Sequence, residues 1–177
     1  MIGVTGTDGK TTTTNLIHSI LTAAGLDAGM ISTVNAIIGG QAYDTGLHTT
    51  TPDAPDVQRY LAQMVAAGQT HCVLETTSHG LAQHRVDACE FDIGVVTNIT
   101  HEHLDIHGTF EAYRAAKARL FEMVAASAHK GVPKTCVLNA DDPSYEFLRA
   151  ICAQKELSYG MATPALVSAR NIACLPD

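Results

Sequence analysis

Short apolar runs alternate with longer segments of helical period along most of the chain. Residues 1–5 (MIGVT) form a β-rich run that stops at a glycine loop. Residues 12–24 place Leu16, Ile17, Ile20 and Leu21 on one helical face, with Gly25 as a stop signal. Residues 28–34 read as a second strand and the glycine-rich stretch 36–47 as a hairpin or loop. Over 53–67, Val57, Tyr60, Leu61, Met64 and Val65 recur at three-to-four spacing, which predicts a helix closed by Gly68. HCVLET (71–76) and FDIGVVTN (91–98) predict buried strands with polar ends. A long helix is expected over 110–126, a strand over 135–139 and a helix over 143–154. Late strands are expected over 157–161 and 166–172.

Near-continuous apolar strands alternating with helices predict an α/β fold. Its sheet is mostly parallel, with helices on both faces. Such sheets bind ligands at their strand ends, and here the ends carry Thr5, Glu75, Asn98 and Asn139.

Composition narrows this reading. With 177 residues, 46% hydrophobic and 16% charged, the chain is long enough to bury one domain core. The net charge of −7 argues against a nucleic-acid or anionic-membrane binder. No apolar run approaches the roughly 20 residues that span a bilayer, and no signal-peptide pattern opens the chain. The cysteines at 72, 89, 136, 152 and 174 form no CxxC pair. They are expected to be reduced thiols, small core residues of a cytoplasmic protein.

The first candidate chemistry lies between the first strand and the first helix. Gly6-Thr7-Asp8-Gly9-Lys10-Thr11 can turn backbone N–H groups onto a phosphate, aided by the helix N-terminus. Lys10 would neutralise β/γ-phosphates and the Thr11 hydroxyl would ligate Mg²⁺. The full phosphate-loop pattern asks for glycine at position 4, where this chain has Val4, so only the shorter GxxGK[ST] form is present. No NKxD segment for guanine is found, and ATP is the expected nucleotide.

Three further features carry charge. Glu75 ends a buried strand, where a carboxylate needs a metal or a paired partner; a Mg²⁺ site with Thr11, a helix cap or a salt bridge would serve. The run THEHLDIH (100–107) holds three histidines and two acids but lacks the HExxH spacing. Its chemistry does not choose which histidine faces a nucleotide. Lys117 has small, apolar neighbours and by itself reads as a surface lysine. Desolvated, it would favour the neutral amine that can take up CO₂ as a carbamate.

These residues also carry a resemblance. GVTGTDGKTTT (3–13), TTPDAPDVQ (50–58) and ETTSHGLAQHRV (75–86) resemble the central ATP-binding domain of the Mur ligase family. So do TNITHEHLDIHGTFEAYRAAKARLF (97–121) and NADD (139–142). The match is most like the E type, which adds the third amino acid to UDP-N-acetylmuramoyl-L-alanyl-D-glutamate. The resemblance implies a P-loop-like fold, with Gly6, Thr7, Asp8, Gly9, Lys10, Thr11 and Thr12 around the ATP phosphates and Asn139 near the adenine. It implies two Mg²⁺ sites, one on Thr11 and Glu75, the other on His103 and a CO₂-derived carbamate of Lys117. Thr50, Thr51, Thr77, Gln83 and Arg85 would hold the UDP-muramoyl-dipeptide. Its other partner would be an amino acid, with no nucleic acid, no membrane, a monomeric state and a bacterial cytoplasmic location.

The chain departs from the family pattern at three places. Asp8 and Thr49 stand where the family usually has asparagine, and Thr77 replaces a serine but keeps the hydroxyl. Residues 1–177 are expected to be the central domain alone, without the N-terminal UDP-binding and C-terminal domains. Two alternatives stay open. One is another ligase of the superfamily, such as a folylpolyglutamate or cyanophycin synthetase or a lipid-II amidotransferase subunit. The other is a non-catalytic nucleotide-binding module. SHGLAQHR and TTPDA favour the E type, and the presence of Lys10, Glu75, His103 and Lys117 together favours an enzyme.

Overall fold

Val4, Val73 and Val95 sit side by side on three adjacent strands and share one apolar patch with Ile17 and Leu21. On the opposite face the same strands carry glycine and bulkier residues that meet other helices. This alternation builds the fold, seen here in a computed structural model that describes residues 1–45, 50–100 and 107–173. The strands are β1 (Ile2–Thr5), β2 (Ala28–Ile31), β3 (Asn35–Ile38), β4 (Gln41–Asp44), β5 (His71–Glu75) and β6 (Ile93–Val96). They continue with β7 (Thr135–Asn139), β8 (Lys155–Gly160) and β9 (Val167–Ser168). Their order in the single sheet is β4-β3-β2-β5-β1-β6-β7-β8-β9. Pairings are parallel except β2–β3 and β3–β4. The mostly parallel sheet with helices on both faces is therefore present as expected.

The helices are α1 (Lys10–Ala23), α2 (Ala54–Ala66), α3 (Ser78–Ala82), α4 (Phe110–Ala126) and α5 (Tyr145–Ile151). Helix α4 lies close to the sheet because Gly3 and Gly94 are direct neighbours in the β1–β6 register. A Cβ on Gly3 would stand 2.6 Å from Leu120, and one on Gly94 would stand 3.2 Å from Phe121. Leu120, Phe121 and Val124 are fully buried there. Lys117 precedes them by one turn on the same helical stripe, so this close approach carries the lysine under the end of β1. Gly94→Ala would press a methyl group into that contact. It is expected to cost about 1–3 kcal/mol, read as a lower urea midpoint.

Several sequence expectations are corrected. Helix α1 begins at Lys10 rather than residue 12, because the phosphate loop itself opens the helix. Its buried stripe runs through Thr14, with Ile17 and Leu21 half-buried, whereas Leu16 and Ile20 point outward at 58% and 66% exposure. At 100° per residue, four apolar residues within six positions are too wide for a single contact line. Val65 of α2 is exposed for the same reason. The 36–47 expectation resolves, over its described part, into the β3–β4 hairpin turning at Gly39–Gly40. Short helix α3 was not foreseen, and the strand expected over 166–172 shrinks to the two-residue β9.

The cysteine expectation is corrected in part. Cys136 of β7 and Cys152 at the end of α5 are joined as a disulfide, Cα–Cα 6.3 Å apart. Helix α5 folds back along β7 and brings together two residues 16 positions apart in sequence. Cys72 and Cys89 are free and buried, and burial pushes both thiols up to about 12. They behave as the small core residues expected of them. Cys174 lies outside the described residues.

Candidate functional site

The glycine loop is held from the side by the end of β6. Thr7 N donates to Asn98 O at 2.7 Å and Asp8 N to Asn98 Oδ1 at 3.0 Å. Thr97 Oγ1 donates to Asp8 O at 2.6 Å, and Thr100 N donates to Thr7 Oγ1 at 2.9 Å. The Thr-Asn pair flagged as a polar strand end thus fixes the loop's shape. Gly6, at φ +148°, leaves no room for a side chain: a Cβ would lie 1.8 Å from Thr97 Oγ1. Gly9, at φ +76°, is the left-handed N-cap of α1, and no side chain caps that end. Uncapped N–H groups at the helix start, beside a lysine, form the geometry that receives a phosphate. Lys10 Nζ folds back onto Thr7 O at 2.6 Å. Asp8 is exposed, as is Thr12 in the first turn of α1.

Glu75, at the end of β5, is 1% exposed. Its carboxylate accepts from Thr11 Oγ1 at 3.0 Å through both oxygens, from Thr33 N at 3.0 Å and from Thr33 Oγ1 at 3.1 Å. Among the described residues no ion pair to Glu75 is formed, so the salt-bridge alternative is not realised there. A buried carboxylate ringed by hydroxyls is a hard-oxygen donor set that fits a divalent cation such as Mg²⁺. No group of three or more His, Cys, Asp or Glu converges among the described residues. A cation at Glu75 would therefore complete its shell with phosphate oxygens and water, the habit of Mg²⁺.

Beside the loop opens a cleft of about 430 Å³ lined by Lys10, Thr50, Thr51, Thr77, Gln83, Arg85 and Lys117, together with Ser78, His79 and Tyr113. Seven sequence candidates from four separate segments thus face one space. Thr51 is the joint: its hydroxyl donates to Glu75 O at 3.2 Å, lies 3.1 Å from Thr77 Oγ1 and accepts from Thr77 N at 2.9 Å. Thr77 in turn caps α3 by accepting from Gly80 N. Arg85 is anchored by Nε to Gln83 Oε1 at 2.9 Å and by Nη1 to Thr51 O at 2.7 Å, with Asp53 at 3.3 Å. Its Nη2 makes no bond among the described residues, so it can serve an anion in the cleft.

Lys117 is 2% exposed, which overturns its reading as a surface lysine. Nζ donates to Gly6 O at 2.6 Å and lies 4.4 Å from the centre of the Tyr113 ring. An ammonium in that seat is not a metal ligand. Only a carbamate would convert the residue into an oxygen donor suited to a hard cation.

Asn139 is not brought into the cleft. Its Nδ2 donates to Thr97 O at 2.8 Å and its Oδ1 accepts from Asp141 N at 3.0 Å, which ties the end of β7 to the end of β6. His103 and His101 lie outside the described residues. His107 is described: its Nε2 is 3.0 Å from Ser78 Oγ, and its ring stands 5.3 Å from those of His79 and Tyr113.

Four contributors escaped the sequence reading: Thr33, Ser78, His79 and Tyr113. Thr33 had a usable signal, because it follows β2 as Glu75 ends β5, and polar residues at strand ends were the clue. Tyr113 had one too, since it precedes Lys117 by four positions on a helix.

Comparison with known proteins agrees with this geometry. Residues 4–176 match the model of the Mur ligase middle domain. A UDP-N-acetylmuramyl-tripeptide synthetase of Roseiflexus sp. (strain RS-1) is 44% identical over 185 residues, covering 100% of this chain and 36% of that protein. A UDP-N-acetylmuramoyl-L-alanyl-D-glutamate–2,6-diaminopimelate ligase of Geobacillus thermodenitrificans is 41% identical over 176 residues, covering 99% of this chain and 36% of the relative. A solved structure of a ligase with that same description superposes with a TM-score of 0.75 at 32% identity, over 92% of this chain and 32% of that one. The chain therefore spans about a third of the length of the relatives it matches. On the strength of the glycine loop, the sheet order and the match over nearly all of its length, the chain belongs to the Mur ligase family, within that family's middle domain.

Proposed function

We propose that the chain is the ATP-binding domain of a longer ligase that adds the third amino acid to UDP-N-acetylmuramoyl-L-alanyl-D-glutamate. The observation that carries this reading is that the loop lysine, Lys10, and Arg85 line one cleft. A phosphate donor and a carboxylate acceptor can meet there.

In this reading the acceptor carboxylate attacks the γ-phosphorus of ATP. ADP leaves and an acyl phosphate remains; the incoming amine then attacks the acyl carbon and releases phosphate. Such a transfer needs alignment and charge neutralisation more than covalent help. Lys10 balances the β/γ-phosphate charge, and the uncapped N–H groups at the start of α1 orient the phosphates. Thr11 and Glu75 would hold one Mg²⁺, and His103 with a carbamylated Lys117 would hold a second. These ions would shield the phosphate charge from the attacking carboxylate. Thr50, Thr51, Thr77, Gln83 and Arg85 hold the UDP-muramoyl-dipeptide, with the Arg85 guanidinium on one of its anionic groups. We place the enzyme in the bacterial cytoplasm, where ATP and the uridine-linked precursor are found; no described helix is long and apolar enough to cross a membrane.

The test uses the full-length enzyme. Phosphate release should require ATP, the UDP-muramoyl-dipeptide and an amino acid together. Arg85→Ala should raise KM for the dipeptide about 10- to 100-fold, the worth of one charged hydrogen bond, and leave nucleotide affinity unchanged. Phosphate release that ignores the dipeptide, or an Arg85→Ala enzyme with normal KM, would reject this reading.

A further inference from the structure

Tyr113 is fully buried among core residues yet forms part of the cleft wall. It touches two parts of the site through different chemistry. Its hydroxyl is 3.0 Å from Thr7 Oγ1, inside the glycine loop. That same Thr7 oxygen accepts from Thr100 N, at the start of the segment that leads to His103. The face of its ring lies 4.4 Å from Lys117 Nζ, which also donates to Gly6 O. The loop residues Gly6 and Thr7 and the α4 residues Tyr113 and Lys117 therefore close a four-membered contact ring. Two of its links are hydrogen bonds, the third is a cation–π contact and the fourth is the Gly6–Thr7 peptide bond.

The spacing explains why one residue can do both. Tyr113 and Lys117 are four apart on α4, stacked on one stripe. The stripe is pressed onto the sheet by Leu120 and Phe121 over Gly3 and Gly94. Both side chains are buried on a helix packed into the core. A rigid phenol at this position gives the glycine loop a fixed reference point on a different secondary element.

We propose that Tyr113 is a positioning residue of this site, its hydroxyl setting the glycine loop through Thr7. This rests on the nucleotide-site reading above. Its consequence is read in nucleotide affinity. Tyr113→Phe keeps the ring and removes the hydroxyl. In the full-length enzyme it should weaken binding of a fluorescent ADP analogue with Mg²⁺ about fivefold, the worth of one hydrogen bond. Its kcat should fall by a smaller factor than its nucleotide affinity. In a Thr7→Val background the same change should have almost no further effect, because its partner is already gone.

Nucleotide binding is read directly, so the outcome does not depend on ligase turnover. If Lys10→Ala leaves ADP binding intact, the nucleotide-site reading itself fails. If Lys10→Ala abolishes binding but Tyr113→Phe has no effect, or has the same effect with and without Thr7, the positioning role of the hydroxyl is overturned. Tyr113→Phe keeps the ring packed, so the cycle with Thr7→Val reads the loop contact and not a failure to fold.

Discussion

Lys10→Ala in the full-length enzyme is expected to reduce affinity for Mg²⁺-ATP and Mg²⁺-ADP by at least about 100-fold, roughly 2.7 kcal/mol. Lys10 lines the cleft at the start of α1, its Nζ now resting on a carbonyl of its own loop at 2.6 Å. It can leave that neutral acceptor for a phosphate without unfolding anything. A charged hydrogen bond contributes about 1.5–3 kcal/mol. The direct charge attraction adds to it at short range. The variant should keep its melting temperature, since the loop shape is set by Asn98, Thr97 and Thr100 rather than by the lysine. Titration calorimetry with ADP measures this. Equal affinity in the two proteins would show that phosphates do not sit on this loop.

The second large effect is at Lys117. Lys117→Ala is expected to lower kcat of the full-length enzyme about 100- to 1,000-fold, the scale of losing a charge-stabilising group. Nucleotide affinity should fall much less. The side chain is buried at the close contact between α4 and β1, with Nζ on Gly6 O. As an ammonium it would repel Mg²⁺. As a carbamate it changes from +1 to −1 and offers two hard oxygens. The chemistry is R–NH₂ + CO₂ → R–NH–COO⁻ + H⁺, so it consumes the neutral amine and releases a proton. Activity should therefore rise with bicarbonate and with pH, and fall reversibly when acid strips the group. Carbon-13 NMR with labelled bicarbonate reads the carbamate independently of turnover. The signal should be present in the wild type and missing in Lys117→Ala. A fully active wild type with no carbamate signal would end the idea.

These two lysines show how differently a site residue can be announced. Lys10 is readable because everything that defines it is contiguous: a strand, a glycine turn, a lysine and a helix start within ten residues. Lys117 carries no such local signature. Its burial comes from a contact 111 positions away in sequence, to Gly6, and from two glycines on separate strands that let α4 approach. Its small, apolar neighbours allow a desolvated amine, but only the family resemblance assigns it a role in the site.

The sequence by itself determined the element types and the parallel sheet, because hydrophobic period is a local property written into successive residues. It also determined the glycine loop and the polar strand ends, Glu75 among them. The tertiary structure alone decided which face of α1 is buried, leaving Leu16 and Ile20 outside. It alone joined Cys136 to Cys152, tied the Asn139 side chain to Thr97 and Asp141, and drew Thr51, Thr77, Arg85, Lys10 and Lys117 to one space. The physical reason is the same in each case. A helix or a loop forms from neighbours in sequence, whereas burial and site assembly depend on strand order and on how closely helices can approach. Those are set by contacts between residues tens of positions apart, which no local pattern records.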